Sequence, residues 1–459
     1  MTAHINAHGA SRIKDRRIVD NLAGWSQTGD MTAHLSPLLK QATPVVVDHA
    51  LGSWIHGTDG RDYLDFTTGI GVTSTGHCHP DVVAAAREQC GKIIHAQYTT
   101  VMHTPLLELT EKLGEHLPEG IDSVFYANSG SEAVEAAVRL ARMATGRPNI
   151  VTVQGGFHGR TVAAASLTTA GTRFSAGFAP LMGGVVMTPF PHALRHGWTV
   201  DDAVDFALAE LDYLMATRVD AKEIAAFLIE PVLGDGGYMA TPPRYLQGLR
   251  ERADAIGALL VLDEVQAGIG RTGRFWGHQH TEDLVPDIII TAKGIASGFP
   301  ISAIAAPESL MAKAWPGSQG GTYGGNAVAA AAGVATLGVV EREDLVTNAE
   351  ERGTQLLSGL RRSLGDVAQI CDIRGTGLML GIEFGDPTAP AGSAGALEAA
   401  RLAGAVQQAC IDEDLLTLTC GPTGSVVRVI PALVVTAAEV DTGVERFTRA
   451  VHRVCNGAA

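Results

Sequence analysis

Apolar residues recur along this chain with two alternating periods. Short runs such as "SVFYAN" (123–128), "NIVTVQ" (149–154), "IAAFLIEP" (224–231), "ALLVLDE" (258–264) and "DIIITAK" (287–293) are apolar at successive positions. That is the pattern of a strand covered on both faces. Between and before them, "HPDVVAAAREQCGKII" (79–94), "SEAVEAAVRLARMAT" (131–145) and "PRYLQGLRERADAIG" (243–257) space their apolar residues three and four apart, which predicts amphipathic helices. The alternation predicts an α/β unit with a mostly parallel sheet covered by helices. Upstream, "GSWIHGTDGRDYLDFTTGIGV" (52–72) alternates around the turn "TDG" and predicts a short hairpin. Downstream of a long helical stretch near 325–362, "DIRGTGLMLGIEF" (372–384) and "SVVRVIPAL" (425–433) read as strands of a smaller α+β domain, and "GDPTAPAGSAGA" (385–396) reads as a surface loop. The division expected is an N-terminal segment (1–70) joining the small domain, a large domain (71–345) and a C-terminal small domain (346–459).

Composition narrows the partners. The 459 residues, 46% hydrophobic and 18% charged, can bury a large core over two or three domains. With 34 basic residues against 49 acidic ones the net charge is −15, which disfavours nucleic acid and anionic membranes as partners. No window approaches the roughly 20 apolar residues of a membrane span, and the polar N-terminus lacks the apolar core of a secretory signal. Six cysteines without C-x-x-C spacing read as reduced thiols of a cytoplasmic protein.

In sheets of this kind, ligands sit at the carboxyl ends of the strands. There the sequence places Asn128-Ser129-Gly130-Ser131, Gly155-Gly156-Phe157-His158, Glu230, Asp263 and Lys293. After Asp263, Gly268, Gly270 and Gly273 are spaced G-x-G-x-x-G. A dinucleotide site wants the first glycine directly at the strand end, and here "EVQA" intervenes, so the glycines read as loop residues. His77-Cys78-His79 has no matched second pair of ligands and reads as a turn before a helix; no metal is expected. Ser129 to Ser131 open a helix where free N–H groups and hydroxyls suit a phosphate, although a plain N-cap followed by Glu132 is the alternative. Lys293, ending an apolar strand beside small residues, is either a desolvated amine suited to a Schiff base or a snorkelling lysine. Together, a phosphate cradle, an acid ending one strand and a lysine ending another are what pyridoxal 5′-phosphate requires.

Over nearly its whole length the chain resembles class III aminotransferases of the pyridoxal-phosphate fold type I. The motifs are "GIGVTSTGHCHP", "YANSGSEAVEAAVRLAR", "GGFHGRT", "IEPVLGDGGY", "VLDEVQAGIGRTG", "DIIITAKGIASGFP" and "GGTYGGN". "GGFHGRT" and "TCGPTGSVVRVIPAL" look most like the 4-aminobutyrate aminotransferases. The resemblance implies that Lys293 is the Schiff-base lysine and Asp263 the partner of the pyridine nitrogen. It puts Gln266 on the ring hydroxyl, Phe157 on the ring face, and Ser129, Gly130 and Ser131 on the phosphate, with Thr322 reaching in from a second subunit. His158, Glu230 and Val265 belong to the same cofactor site, and Ile70 and Val265 match positions lining the substrate cavity. Arg160 would take the distal carboxylate of an ω-amino acid or of 2-oxoglutarate, and Arg428 the α-carboxylate of glutamate. The implied enzyme moves the amino group of an ω-amino acid such as 4-aminobutyrate to 2-oxoglutarate, as a homodimer or a dimer of dimers. One position departs from the pattern. The family's usual G-E-G-G loop reads Gly234-Asp235-Gly236-Gly237, in which Asp235 would mask Arg428. An aspartate there also resembles racemases of the same class, where it takes part in proton transfer.

Overall fold

The computed structural model describes residues 35–38 and 40–457; the polar N-terminal stretch that bears on secretion lies outside them. Strands β1 (Val47–Leu51), β2 (Trp54–Gly57) and β3 (Asp62–Asp65) form an antiparallel meander, turning at Thr58–Gly60 as the alternation predicts. The large sheet is made of β4 (Ser123–Ala127), β5 (Asn149–Val153), β6 (Val185–Thr188), β7 (Ile224–Ile229), β10 (Leu259–Asp263), β11 (Ile288–Thr291) and β12 (Ser302–Ala306). A two-strand ribbon, β8 (Val232–Leu233) and β9 (Met239–Ala240), follows β7. The order across the large sheet is β4-β12-β11-β10-β7-β5-β6, and β12 alone runs against the rest.

The uninterrupted apolar runs have a direct cause. Along β7, Ala226 and Leu228 face one core with the helix Gly130–Thr145, while Phe227 and Ile229 face the opposite core with the helix Pro243–Ile256. β10 repeats this, Val261 going one way and Leu260 and Leu262 the other. Since successive strand residues point to opposite faces, a strand covered twice must be apolar throughout. All six residues of β7 are buried.

The C-terminal part builds a four-stranded antiparallel sheet in the order β13-β14-β17-β16, from β13 (Ile370–Thr376), β14 (Met379–Phe384), β16 (Leu418–Cys420) and β17 (Val426–Val429). β15 (Leu415–Leu416) leaves it and pairs in parallel with β3, so residues before 70 hydrogen bond with residues after 410. Two sequence expectations need correction. The stretch near 325–362 is two helices, Ala327–Arg342 and Leu345–Leu364, broken at Asp344, whose φ of 50° lies outside the helical region. The loop expected over 385–396 ends early: Ser393 accepts a hydrogen bond from the Ala396 N–H and starts the helix Ala394–Asp412. Strands β6 and β12 were not expected at all. No helix among the described residues is long and apolar enough to cross a membrane.

Candidate active site

The carboxyl ends of β4, β7, β10 and β11, with the loop after β5, surround one cavity of about 290 Å³. Its wall includes Ser129, Gly130, Ser131, Phe157, His158, Glu230, Asp263, Val265, Gln266 and Lys293. The polarity of the sheet brings them together, because β4, although separated by β12, points the same way as the parallel strands.

Asp263 ends β10 and is buried. Its Oδ1 accepts from the Val265 N–H at 3.1 Å, and its Oδ2 lies 2.8 Å from Nδ1 of the buried His158. Burial alone pushes the His158 imidazole down, but its hydrogen bond to Asp263 and the charges of Asp263 and Glu230 outweigh that and raise it. His158 is therefore a donor that holds the carboxylate in one orientation, a role the sequence did not assign it. Glu230 spends both oxygens on backbone, accepting from the Phe157 N–H at 2.8 Å and the Gly234 N–H at 2.9 Å. It ties the end of β7 to the β5 loop and to the turn carrying Asp235. Burial pushes its carboxyl upward, opposed by His158 and reinforced by Asp263. Glu264, adjacent to Asp263, is fully buried and turned away; its oxygens take the N–H groups of Gly277 and His278 and His278 Nδ1. Two neighbouring acids thus differ completely in use.

On the β4 side, Ser129 is the N-cap of a capping box: its hydroxyl accepts from the Glu132 N–H, and the Glu132 carboxylate accepts from the Asn128 and Ser129 N–H groups. The plain N-cap reading is observed, and it is compatible with the phosphate one, since the cap leaves the Gly130 and Ser131 N–H groups of a 16-residue helix for an anion. Gly159 is required here: its φ is +128°, and a Cβ would lie 2.2 Å from the Ser131 hydroxyl, which accepts from the Arg160 N–H.

Lys293 follows β11 with φ 42° and opens a short 3₁₀ turn. It is half-buried. Loss of water is the main cause of a lowered ammonium pKa, with the charges of Asp235, Asp263 and Glu230 opposing and Arg428 adding to it. These residues fit pyridoxal 5′-phosphate on chemical grounds. They offer a helix N-terminus for phosphate, a fixed carboxylate for a pyridinium, an aromatic face at Phe157 and a depressed amine.

Five candidates lie outside the cavity wall. Arg160 is exposed, its guanidinium 4.9 Å over the ring of Phe174, which packs edge-on against Phe157. Arg428, on β17, is buried and its Nη1 lies 3.2 Å from Oδ1 of Asp235, in the β8–β9 turn. That turn is clamped to the small sheet: Gly421 N–H donates to the Asp235 carbonyl, and Arg374 to the Gly237 carbonyl. Ile70 (φ 72°) and Thr322 are exposed. His77 and His79 go to separate carboxylates, Asp65 and Glu343. Sequence reasoning missed Tyr238, whose buried hydroxyl donates to Gln266 Oε1 at 2.7 Å; the signal was a phenol directly after a Gly-rich turn.

Comparisons with known proteins agree with this geometry. The family model for aminotransferase class-III matches residues 37–451. The 5-aminovalerate aminotransferase DavT of Pseudomonas putida is 37% identical, over 88% of this chain and 92% of its own. The 4-aminobutyrate aminotransferase GabT of Escherichia coli is 36% identical, over 88% and 93%. A Bacillus anthracis aminotransferase of known structure superposes with a TM-score of 0.85 at 27% identity, covering 96% of this chain and all of that one. The cavity floor, the lysine and these matches have one meaning: the chain belongs to the class-III aminotransferases, pyridoxal 5′-phosphate-dependent transaminases of fold type I.

Proposed function

We propose that the enzyme moves the terminal amino group of an ω-amino acid such as 4-aminobutyrate to 2-oxoglutarate, giving succinate semialdehyde and glutamate in two alternating half-reactions. The observation that carries this reading is the ion pair between Arg428 and Asp235. An ω-amino acid brings one carboxylate to the site, whereas glutamate brings two. Arg160 serves the distal carboxylate in both half-reactions. Arg428 is needed only for the α-carboxylate of glutamate, and an unpaired buried guanidinium in the other half-reaction would be costly. Asp235 supplies the partner for that interval. The names of the relatives, acting on 5-aminovalerate and 4-aminobutyrate, fit a substrate with a terminal amine and one carboxylate.

When bound, pyridoxal 5′-phosphate supplies an electron sink for the carbon that loses its proton. The residues of this chain do the rest. The Asp263 carboxylate, held by His158, would keep a proton on the pyridine nitrogen. Lys293, with its lowered pKa, would be the amine that takes the proton from the substrate carbon. Gly130 and Ser131 N–H groups, with Thr322 from a second copy of the chain, hold the phosphate; the active unit is on this account at least a homodimer.

A racemase is the second reading, favoured by one observation: an aspartate, Asp235, stands in the Gly234–Gly237 loop where the resemblance to 4-aminobutyrate aminotransferases calls for a glutamate. Single-turnover spectroscopy of each half-reaction separates the two. Rapid conversion of the cofactor by 4-aminobutyrate or 5-aminovalerate, and back by 2-oxoglutarate, is expected. Inversion of one amino acid enantiomer in deuterated buffer without any keto acid, with negligible ω-amino acid turnover, would overturn the proposal.

A further inference from the structure

The first histidine of the His77-Cys78-His79 motif is directed at a buried acid. His77 Nε2 lies 2.8 Å from Oδ2 of Asp65, which ends β3. A carboxylate only accepts, so the imidazole donates. The backbone pins His77 in turn: its N–H donates to the Gly52 carbonyl at 2.8 Å, and its carbonyl accepts from the Gly52 N–H at 2.9 Å. Asp65 Oδ1 accepts from the Thr67 N–H at 2.8 Å and the Thr67 hydroxyl at 2.6 Å. The Thr68 N–H lies 3.2 Å from Oδ1 and 3.1 Å from Oδ2. What Asp65 caps is a left-handed turn, in which Thr68, Gly69, Ile70 and Gly71 have φ of 47°, 61°, 72° and 73° in succession. Glycine takes such values freely, but a residue with a Cβ crowds the following carbonyl, and both Thr68 and Ile70 are β-branched. Strain of this kind persists only where the surroundings over-determine it.

We propose that Asp65 and His77 are positioning residues that hold the strained turn 68–71, and with it Ile70 and Val72, in place along the substrate side of the cavity. The turn reaches the site directly. A Cβ on Gly71 would lie 2.8 Å from Ile430 Cδ1 and 3.5 Å from Gln266 Cγ, and Val72 lines the cavity together with Gln266. The Thr68 hydroxyl lies 2.9 Å from the carbonyl of Ile430, two residues beyond Arg428. Neither Asp65 nor His77 belongs to the cavity wall, so both act through the turn. Without the imidazole, the Asp65 carboxylate is free to swing away from the Thr67 and Thr68 N–H groups. The turn then relaxes towards the right-handed region that a β-branched residue favours, and the wall at Val72 moves with it. Lys293 and Asp263 stay where they are, so the loss falls on substrate binding.

The choice of substrate in the test rests on the function proposed above; the hold on the turn does not. A double-mutant cycle between His77 and Ile70 in the holoenzyme reads it. His77→Leu keeps the bulk and removes the donor. It should raise KM for 4-aminobutyrate about three- to tenfold, leave kcat within about twofold, and lower the thermal midpoint of the holoenzyme. Ile70→Gly removes the Cβ that strains the turn. In its presence His77→Leu should cost less than about twofold in KM and at most about half of the midpoint shift. Ile70→Val shortens the side chain but keeps the branch, and should give no such relief. Where His77→Leu alone yields no holoenzyme, adding Ile70→Gly should restore it, and a double variant that also yields none would overturn the proposal. So would equal losses with and without Ile70→Gly, relief by Ile70→Val as large as by Ile70→Gly, or coupling in the thermal midpoint with KM unchanged. An enzyme that turns over no ω-amino acid would instead overturn the substrate reading, and the thermal cycle would still decide whether the pair holds the turn.

Discussion

On the cavity floor, Asp263 and Glu230 are buried at strand ends and His158 in the loop after β5, and each is held by hydrogen bonds of 2.8 to 3.1 Å with its neighbours. Around the cavity, Arg160, Ile70 and Thr322 are exposed on turns and loops, and Asp235 is half-buried at a ribbon turn. Asp263 and Glu230 are positioned by the sheet ladder, and His158 by its hydrogen bonds with Asp263 and Thr168. Around the floor, the Arg160 guanidinium is held by stacking on Phe174, and the Asp235 side chain, on a turn whose backbone is clamped, by one ion pair; the proposed switch requires these side chains to rearrange between two substrates. On the roles proposed here, chemistry common to all transaminations falls where geometry is fixed, and choice of substrate where it is adjustable.

Substitutions test that contrast, beginning with the floor. Lys293→Ala removes the amine proposed to transfer the proton and should lower transamination by about 10³-fold or more. Borohydride should fix the cofactor on Lys293 in the wild type, and mass spectrometry finding the label elsewhere would refute the assignment. Because burial lowers the Lys293 pKa below 10.5, its free amine dominates at lower pH than that of an ordinary lysine. Cofactor uptake by the apoprotein should therefore rise to a midpoint below 10.5. Asp263→Asn leaves the shape but removes the charge proposed to hold the pyridine proton, and a loss of about 10²-fold is expected in both half-reactions alike. Near-normal turnover would reduce Asp263 to a structural role.

The switch residues should behave differently, by sorting the half-reactions. Arg428→Ala should impair the glutamate half-reaction by about tenfold or more and spare the ω-amino acid one, with Asp235→Ala doing the reverse. Equal losses in both would remove the distinction between floor and surroundings. The smallest effect belongs to Thr322→Ala, expected to weaken cofactor binding by about two- to tenfold, one hydrogen bond's worth. Sedimentation should find at least a dimer, and a fully active monomer would show that Thr322 acts on no neighbour.

The sequence made the floor legible for a physical reason: residues at the ends of doubly buried strands stand out against the apolar runs before them, as Asp263 and Lys293 do. Strand β12, "SAIAA", escaped because its small residues carry no period, although all five are buried. The break at Asp344 escaped because a left-handed φ at an aspartate leaves no mark in the pattern. The fates of Asp263 and Glu264 could not be told apart by composition, since adjacent strand-end acids differ only in which side of the sheet edge they leave. The pairing of Asp235 with Arg428 joins residues 193 positions apart and was reachable only through resemblance.

The strand order has a consequence for how the molecule comes into being. β4 leads into Ser129, Gly130 and Ser131, the proposed phosphate cradle, yet among the described residues its one neighbour in the sheet is β12. A chain emerging from the ribosome therefore exposes the 123–127 strand with no ladder partner until residues 302–306 have been made. Pairings this distant in sequence form slowly, and the unpaired strand offers itself meanwhile to other chains. Arrest of synthesis anywhere between these two strands should leave a nascent chain dependent on chaperones and unable to retain cofactor, and release just beyond residue 306 should relieve the first of these conditions.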